Sequence, residues 1–126
     1  MRGAVVTLAL CLVSGVALAA PTVQDIEFST RERSKSEVRL ESNETPPDLK
    51  TYAIEKPARI AVDFPGTTSS LEQKRFSLPY GNATNAVVLE SGGRTRLVLE
   101  LVKLVPYETR VEGNNLFVVV GAEASD

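Results

Sequence analysis

Histidine and tryptophan are absent from this 126-residue sequence, and its single cysteine, Cys11, lies near the N-terminus. Transition-metal sites, Ser-His-Asp triads and thiol chemistry use histidine or cysteine as ligands, bases or nucleophiles. The carboxylates that remain are scattered singly along the chain. We therefore expect no catalytic site, no resident metal and no cofactor, so the sequence predicts a protein that is not an enzyme.

Charge gives no reason to expect a nucleic-acid partner. Beyond Arg2 the chain holds 13 basic and 16 acidic residues, and the two signs are interspersed. A nucleic-acid-binding domain usually shows a clustered basic excess instead.

The N-terminal 19 residues have the pattern of a secretory signal peptide. Arg2 gives a positive start, an apolar run follows, and an Ala-Leu-Ala sequence ending at Ala19 suits signal peptidase. We expect cleavage after Ala19, because cleavage one residue later would place Pro21 beside the scissile bond. An uncleaved anchor usually needs about 20 apolar residues with anchoring flanks. Residues 20–126 are then expected to be one exported domain, without disulfides and without direct membrane insertion.

Short runs rich in Val, Ile, Leu, Phe and Tyr, separated by turn residues, continue along the rest of the chain. Such runs are typical of β-strands, and no segment keeps a helical period over three turns. The predicted strands are 23–28, 36–42, 50–55, 59–64, 72–78, 86–91, 94–101, 107–112 and 115–120. The predicted fold class is therefore all-β.

Two dipeptides predict tight hairpins, Gly92-Gly93 and Gly113-Asn114. Gly92-Gly93 suits the two-residue type I′ loop, whose central residues need positive φ, and Gly113-Asn114 makes a second two-residue loop. Such loops set the strand register. The predicted facing pairs are Ser91 with Arg94, Val88 with Leu97, Val111 with Leu116, and Tyr107 with Val120. A longer loop at 56–58 predicts a third hairpin. Its predicted pairs are Tyr52 with Val62, Ile54 with Ile60, and Glu55 with Arg59, so that Tyr52 faces the core.

The chain also repeats itself. EVRLES, Tyr52 and IAVDF are followed later by RLVLEL, Tyr107 and LFVVV in the same order. We interpret these segments as two halves of a duplicated unit, each with an apolar inner face. Two such halves are predicted to close on one another as a small β-sandwich of two short antiparallel sheets around a pseudo-twofold axis.

The runs YAIEKPARIAVDFPGT and RTRLVLELVKLVPYETRVEGNNLFVVVG resemble the AMIN domain. They are most similar to its version near the N-terminus of type IV pilus secretins, and the resemblance covers nearly all of residues 20–126. It implies a periplasmic β-sandwich that binds peptidoglycan and helps to hold an outer-membrane pore to the cell wall. Because the chain stops at Asp126, we expect a truncated N-terminal portion of such a protein.

Candidate ligand-binding residues lie on the predicted faces opposite the core. Arginines beside exposed aliphatic residues suit a ligand that bears carboxylates, because guanidinium groups bind carboxylates in a bidentate manner. Tyr80, expected in a loop, is a candidate for stacking on a sugar. The candidates are Arg94, Arg96, Glu100, Arg110, Phe117 and Tyr80.

Structural alternatives exist for these residues. The stem of Arg96 can simply cover Leu89, and Phe117 can pack under the N-terminal strand around Ile26 and Phe28. In both cases the side chain would serve the fold and bind no ligand.

The sequence leaves two other functions open. The domain can dock on another pilus or envelope protein through an open sheet edge near 72–78, guarded by Lys74 and Arg75. It can also target an N-acetylmuramoyl-L-alanine amidase, in which case a catalytic domain rich in zinc ligands would have to follow.

Overall fold

The computed structural model describes residues 21–31, 35–46, 48–80 and 82–121. These residues form ten strands: β1 Thr22–Arg31, β2 Lys35–Ser42, β3 Lys50–Ile54, β4 Arg59–Phe64, β5 Thr68–Ser69, β6 Arg75–Tyr80, β7 Ala83–Ser91, β8 Arg94–Leu101, β9 Tyr107–Glu112 and β10 Asn115–Val120. Nowhere in these ranges is there a helix long and apolar enough to cross a membrane. The predicted signal peptide, 1–19, lies outside the described residues.

The strands form two five-stranded sheets. Sheet A has the order β5-β1-β2-β10-β9, and sheet B has the order β3-β4-β8-β7-β6. Neighbouring strands are antiparallel, except that β5 pairs in parallel with β1. Alternate residues of each sheet point to a shared core, as the period-2 pattern requires. Its largest fully buried side chains include Leu40 and Leu116 from sheet A and Phe64, Ile60, Leu97 and Leu99 from sheet B. The predicted all-β sandwich is confirmed.

The internal repeat is visible in the topology. Strands β1 and β2 lie in sheet A while the hairpin that follows them, β3–β4, joins sheet B. Strands β7 and β8 lie in sheet B while β9–β10 joins sheet A, so the order β1-β2-β10-β9 corresponds to β7-β8-β4-β3. This arrangement is the predicted pseudo-twofold repeat. It differs from the prediction in one respect, because each half contributes two strands to each sheet and does not form a sheet of its own.

The predicted and observed strand bounds agree best where a turn or a proline marks the ends of the strand. The predicted strands 59–64, 94–101, 107–112 and 115–120 have the observed bounds. The first strand runs further than predicted, to Arg31, because it pairs with β2 down to Lys35. The strand predicted at 72–78 is β6, which begins at Arg75, and the two-residue β5 was not predicted.

Two of the three hairpin registers are confirmed. Ser91 pairs with Arg94, and Val111 pairs with Leu116. Gly92 and Gly93 have φ of 60° and 75°, as a type I′ turn requires, and Gly113 has φ of 59°.

The register predicted for the third hairpin is wrong by one residue. Ile54 pairs with Arg59, so the loop holds the four residues between them, one more than predicted, and Tyr52 pairs with Ala61. A shift of one residue moves every side chain of a strand to the other face of its sheet. Tyr52 therefore lies on the outer face of sheet B, whereas Tyr107 packs against the core, and the two tyrosines are not equivalent.

Candidate ligand-binding face

Sheet B presents a cationic outer face. This face has five basic residues and two carboxylates. They surround a group of apolar side chains. We define this cationic face by Lys50, Tyr52, Ile54, Arg59, Ala61, Asp63, Arg75, Val87, Leu89, Arg94, Arg96, Val98 and Glu100. Across the middle of the sheet, Ala61, Val98 and Val87 are cross-strand neighbours, and Tyr52 continues this row at the β3 edge.

Arg96 is held in place by a neighbour on β4. Its Nε donates to Asp63 Oδ1 at 2.6 Å, and its Nη2 donates to Oδ2 at 3.3 Å. The hydrogen bond to Asp63 raises the pKa of Arg96 above its ordinary value. The guanidinium carbon also lies 5.8 Å from the centre of the Tyr52 ring, within the range of a cation–π contact. Arg96 therefore balances the charge of Asp63, which is only 8% exposed.

Arg94 is different, because no described acidic side chain forms an ion pair with it. It is exposed beside the Gly92-Gly93 turn. Here the surface forms an open depression of about 440 Å³, lined by Leu89, Ser91, Gly92, Arg94 and Arg96. The depression thus combines two guanidinium groups, a hydroxyl and an aliphatic side chain that is 47% exposed.

Glu100 shares the cationic face but lies far from the depression. Six residues along a strand, at about 3.3 Å each, place it about 20 Å from Arg94. Its Oε1 accepts a hydrogen bond from Arg75 Nη1 at 3.1 Å. Glu100 and Arg94 therefore cannot contact the same small group of a ligand.

The outer face of sheet A has the opposite charge. Among its described side chains, six carboxylates outnumber three basic groups. We define this acidic face by Asp25, Glu27, Lys35, Glu37, Arg39, Glu41, Glu108, Arg110, Glu112, Asn115, Phe117 and Val119. At its centre Arg39 contacts Glu27 at 2.8 Å and Asp25 at 3.3 Å, and the hydrogen bond to Glu27 raises the pKa of Arg39.

Arg110 and Phe117 lie together on the acidic face. The guanidinium of Arg110 stacks over the Phe117 ring at 4.3 Å and also approaches Glu112 at 3.4 Å. Phe117 does not pack under the N-terminal strand as the structural alternative supposed, because Ile26 and Phe28 point to the core. Arg110 and Phe117 are thus separated from Arg94 and Arg96 by the whole thickness of the sandwich.

Tyr80 is the last residue of β6, where it pairs with Ala83. The prediction of a loop position was wrong, because the β6–β7 ladder continues to this pair. The side chain of Tyr80 lies outside the described part of the structure.

Sequence reasoning missed the two members of the cationic face that contact Arg96, namely Tyr52 and Asp63. Tyr52 was missed because a loop of three residues was assumed where four are present. Asp63 had a signal, since it alternates with the core residues Val62 and Phe64. Its proximity to Arg96 requires the pairing of β4 with β8, which no local pattern reveals.

Fold and surface together define a small β-sandwich module with two oppositely charged outer faces. Among the residues that the structure describes, no cluster of side chains is arranged to hold a metal ion. The chain belongs to the AMIN domain family, whose family model matches residues 25–120. The resemblance stated from the sequence is thereby confirmed.

Curated relatives come from pilus systems. The chain is 42% identical over 105 residues to the fimbrial assembly protein PilQ of Pseudomonas aeruginosa, an alignment that covers 83% of this chain and 15% of that protein. It is 27% identical over 101 residues to the type IV pilus biogenesis and competence protein PilQ of Neisseria gonorrhoeae, covering 80% and 14% respectively. The chain thus spans about one seventh of the length of these relatives. No solved structure matches it significantly.

Proposed function

We propose that this chain is a non-catalytic, peptidoglycan-binding module that works in the periplasm as part of type IV pilus assembly. The observation that carries the proposal is the cationic face, on a domain of the AMIN family. The names of the relatives favour a role in pilus assembly over the targeting of an amidase.

The chemistry of the cationic face suits the cell-wall polymer. Peptidoglycan stem peptides carry carboxylates and amides, and its sugars offer apolar C–H faces. Guanidinium groups bind carboxylates through paired, charge-assisted hydrogen bonds. The exposed ring of Tyr52 and the aliphatic side chains next to it supply apolar contact area.

Export through a cleaved signal peptide is part of the same proposal. Residues 1–19 would be removed and residues 20–126 released into the periplasm as the AMIN domain, associated with the outer membrane where the domain belongs to a pore-forming protein. Mass spectrometry of the protein purified from the periplasm tests this, with an N-terminus at Ala20 as the expected result.

Co-sedimentation with purified peptidoglycan sacculi tests the proposed binding. We expect the chain to sediment with sacculi at low salt, and to be released as salt rises, because exposed charges are screened beyond about 10 Å at 0.1 M. Failure to sediment at low salt would overturn the proposed function.

A matched pair of charge reversals identifies the binding face. Arg94→Glu on the cationic face and Arg110→Glu on the acidic face change the net charge equally. We expect Arg94→Glu to weaken sedimentation and Arg110→Glu to preserve most of it. The reverse result would move the site to Arg110 and Phe117.

A second function, docking on another envelope protein, is favoured by the open edges of the sheets. In β9, an edge strand of sheet A, every residue after Tyr107 is exposed. The edge predicted near 72–78 is present as β6 of sheet B. An extended segment of a partner can add to such an edge by main-chain hydrogen bonding. Retention of a partner protein after muramidase digestion of the wall would support this function.

A further inference from the structure

We infer that the depression beside the Gly92-Gly93 turn binds the C-terminal carboxylate of a short peptide, with Arg94 as the residue that contacts it. This inference rests on the proposed function and assigns recognition to the stem peptide of the wall, not to its glycan. Two neighbouring arginines of this depression differ, because the guanidinium of Arg96 is bound to a carboxylate and that of Arg94 is bound to none among the described residues.

Arg96 is not available as the main anion ligand. Two of its nitrogens already bind both oxygens of Asp63. Withdrawal of Arg96 toward a ligand would leave the Asp63 carboxylate without its partner at a position that is 8% exposed. Arg96 therefore lines the depression with its guanidinium held in one orientation by Asp63.

Arg94 can use its guanidinium fork for a ligand. It lies on the same face two residues away, is exposed, and has no ion-pair partner among the described side chains. Its cross-strand partner is Ser91, which places a hydroxyl on the same wall of the depression. A carboxylate bound by Arg94 would thus find a second hydrogen-bond donor close by.

The remaining lining indicates what accompanies the carboxylate. Leu89 is the cross-strand neighbour of Arg96 and is 47% exposed, so it offers apolar contact to a small aliphatic group next to the anion. Among the described side chains, none that lines the depression is aromatic, whereas sugar rings are commonly held by aromatic stacking. A terminal amino acid with a small side chain therefore fits better than a sugar or a bare inorganic anion.

Titration of the isotope-labelled chain, followed by NMR, tests the inference with three probes. The first is N-acetyl-Lys-D-Ala-D-Ala with a free terminal carboxylate, the second is the same peptide with a terminal amide, and the third is inorganic phosphate. We expect the free acid to shift the amide signals of residues 89–94, and the amidated peptide to bind at least about tenfold more weakly, since a hydrogen bond to a charged group contributes about 1.5–3 kcal/mol. Equal binding of the two peptides, or equal shifts with phosphate, would overturn it.

Variants distinguish a local contact from general charge. We expect Arg94→Ala to lose about tenfold or more in affinity for the free acid, and Arg94→Lys to recover only part of it, because lysine lacks the bidentate fork. The control is Arg75→Ala, which removes one arginine from the edge strand β6 of the same face, where it is paired with Glu100 and does not line the depression, and should change affinity less than twofold. Equal losses in Arg94→Ala and Arg75→Ala would overturn the inference.

Competition against sedimentation with intact sacculi separates the two proposals. The competitors are soluble glycan strands, freed of stem peptides by an amidase, and soluble stem peptides. Displacement by the stem peptides and not by the glycan strands supports recognition of the peptide. Displacement by the glycan strands would overturn the peptide inference and leave the proposed wall-binding function standing. If the chain does not sediment with intact sacculi, the wall-binding function itself falls.

Discussion

Asp63 and Arg96 show how a single ion pair shapes the cationic face. Their strands are neighbours, and the arginine lies over a carboxylate that is largely hidden from water. A buried charge that loses its partner becomes costly. Loss of Arg96 alone would thus destabilise the sheet, and the contact of Arg96 with Tyr52 also keeps the surface next to the depression in one arrangement.

We predict that Arg96→Ala destabilises the domain by about 2 kcal/mol. The value is below the 3–5 kcal/mol typical of breaking a fully buried pair, because the Arg96 side chain is 41% exposed. Urea denaturation followed by circular dichroism measures the change. Arg94→Ala is the matched control and should change stability by less than about 0.5 kcal/mol, as is usual for exposed positions.

A double-mutant cycle checks the cause of the Arg96 effect. In an Asp63→Asn background, Arg96→Ala should cost clearly less, because the uncompensated carboxylate is gone. The same cost in both backgrounds would show that Arg96 stabilises the fold through packing alone.

At the scale of elements, loop length determines which residues reach the outside. The four-residue loop between Ile54 and Arg59 places Tyr52 outside. The two-residue turn of the β7–β8 hairpin places Arg94 and Arg96 on the same outer face, next to the alternating core residues Thr95 and Leu97. The lengths of these two loops thus help to determine which side chains form the candidate site.

We predict that Gly93→Ala destabilises the β7–β8 hairpin by about 1 kcal/mol. Its φ of 75° is unfavourable for a residue with a side chain. A Cβ at this position would meet no atom within 4 Å, so backbone strain alone accounts for the cost. Urea denaturation measures it, and Gly93→Asn is the control, because asparagine tolerates this conformation better. An alanine variant as stable as the wild type would contradict the type I′ turn.

At the scale of the whole molecule, the two halves are interlocked. Each half contributes strands to both sheets, and both sheets line one core. Neither half can keep its apolar face covered when the other unfolds. The same arrangement places a cationic and an acidic face on opposite sides of the domain.

We predict that unfolding is a single cooperative transition, and that Leu97→Ala lowers the free energy of unfolding by about 2–5 kcal/mol. Leu97 is fully buried in sheet B. Circular dichroism and the NMR signals of sheet A should report the same midpoint. Survival of sheet A signals after sheet B has unfolded would contradict the interlocked core.

Much of the fold follows from local patterns. Alternation of apolar and polar residues predicts strands because successive side chains of a strand point to opposite faces. Glycine pairs predict tight turns because positive φ is accessible to glycine, and such turns set the register of their own hairpins. For these reasons the all-β class, four strand bounds and two registers could be derived from the sequence by itself, as could the shared outer face of Arg94 and Arg96.

Only the tertiary structure decided which distant strands meet. The pairing of β4 with β8 brings Asp63 to Arg96, and the opposite placement of Arg110 and Phe117 follows from the exchange of hairpins between the sheets. These contacts join residues far apart in the chain, and they depend on how the two apolar faces pack together. Local periodicity carries no information about that packing, so the division of the surface into a cationic and an acidic face is a property of the folded molecule.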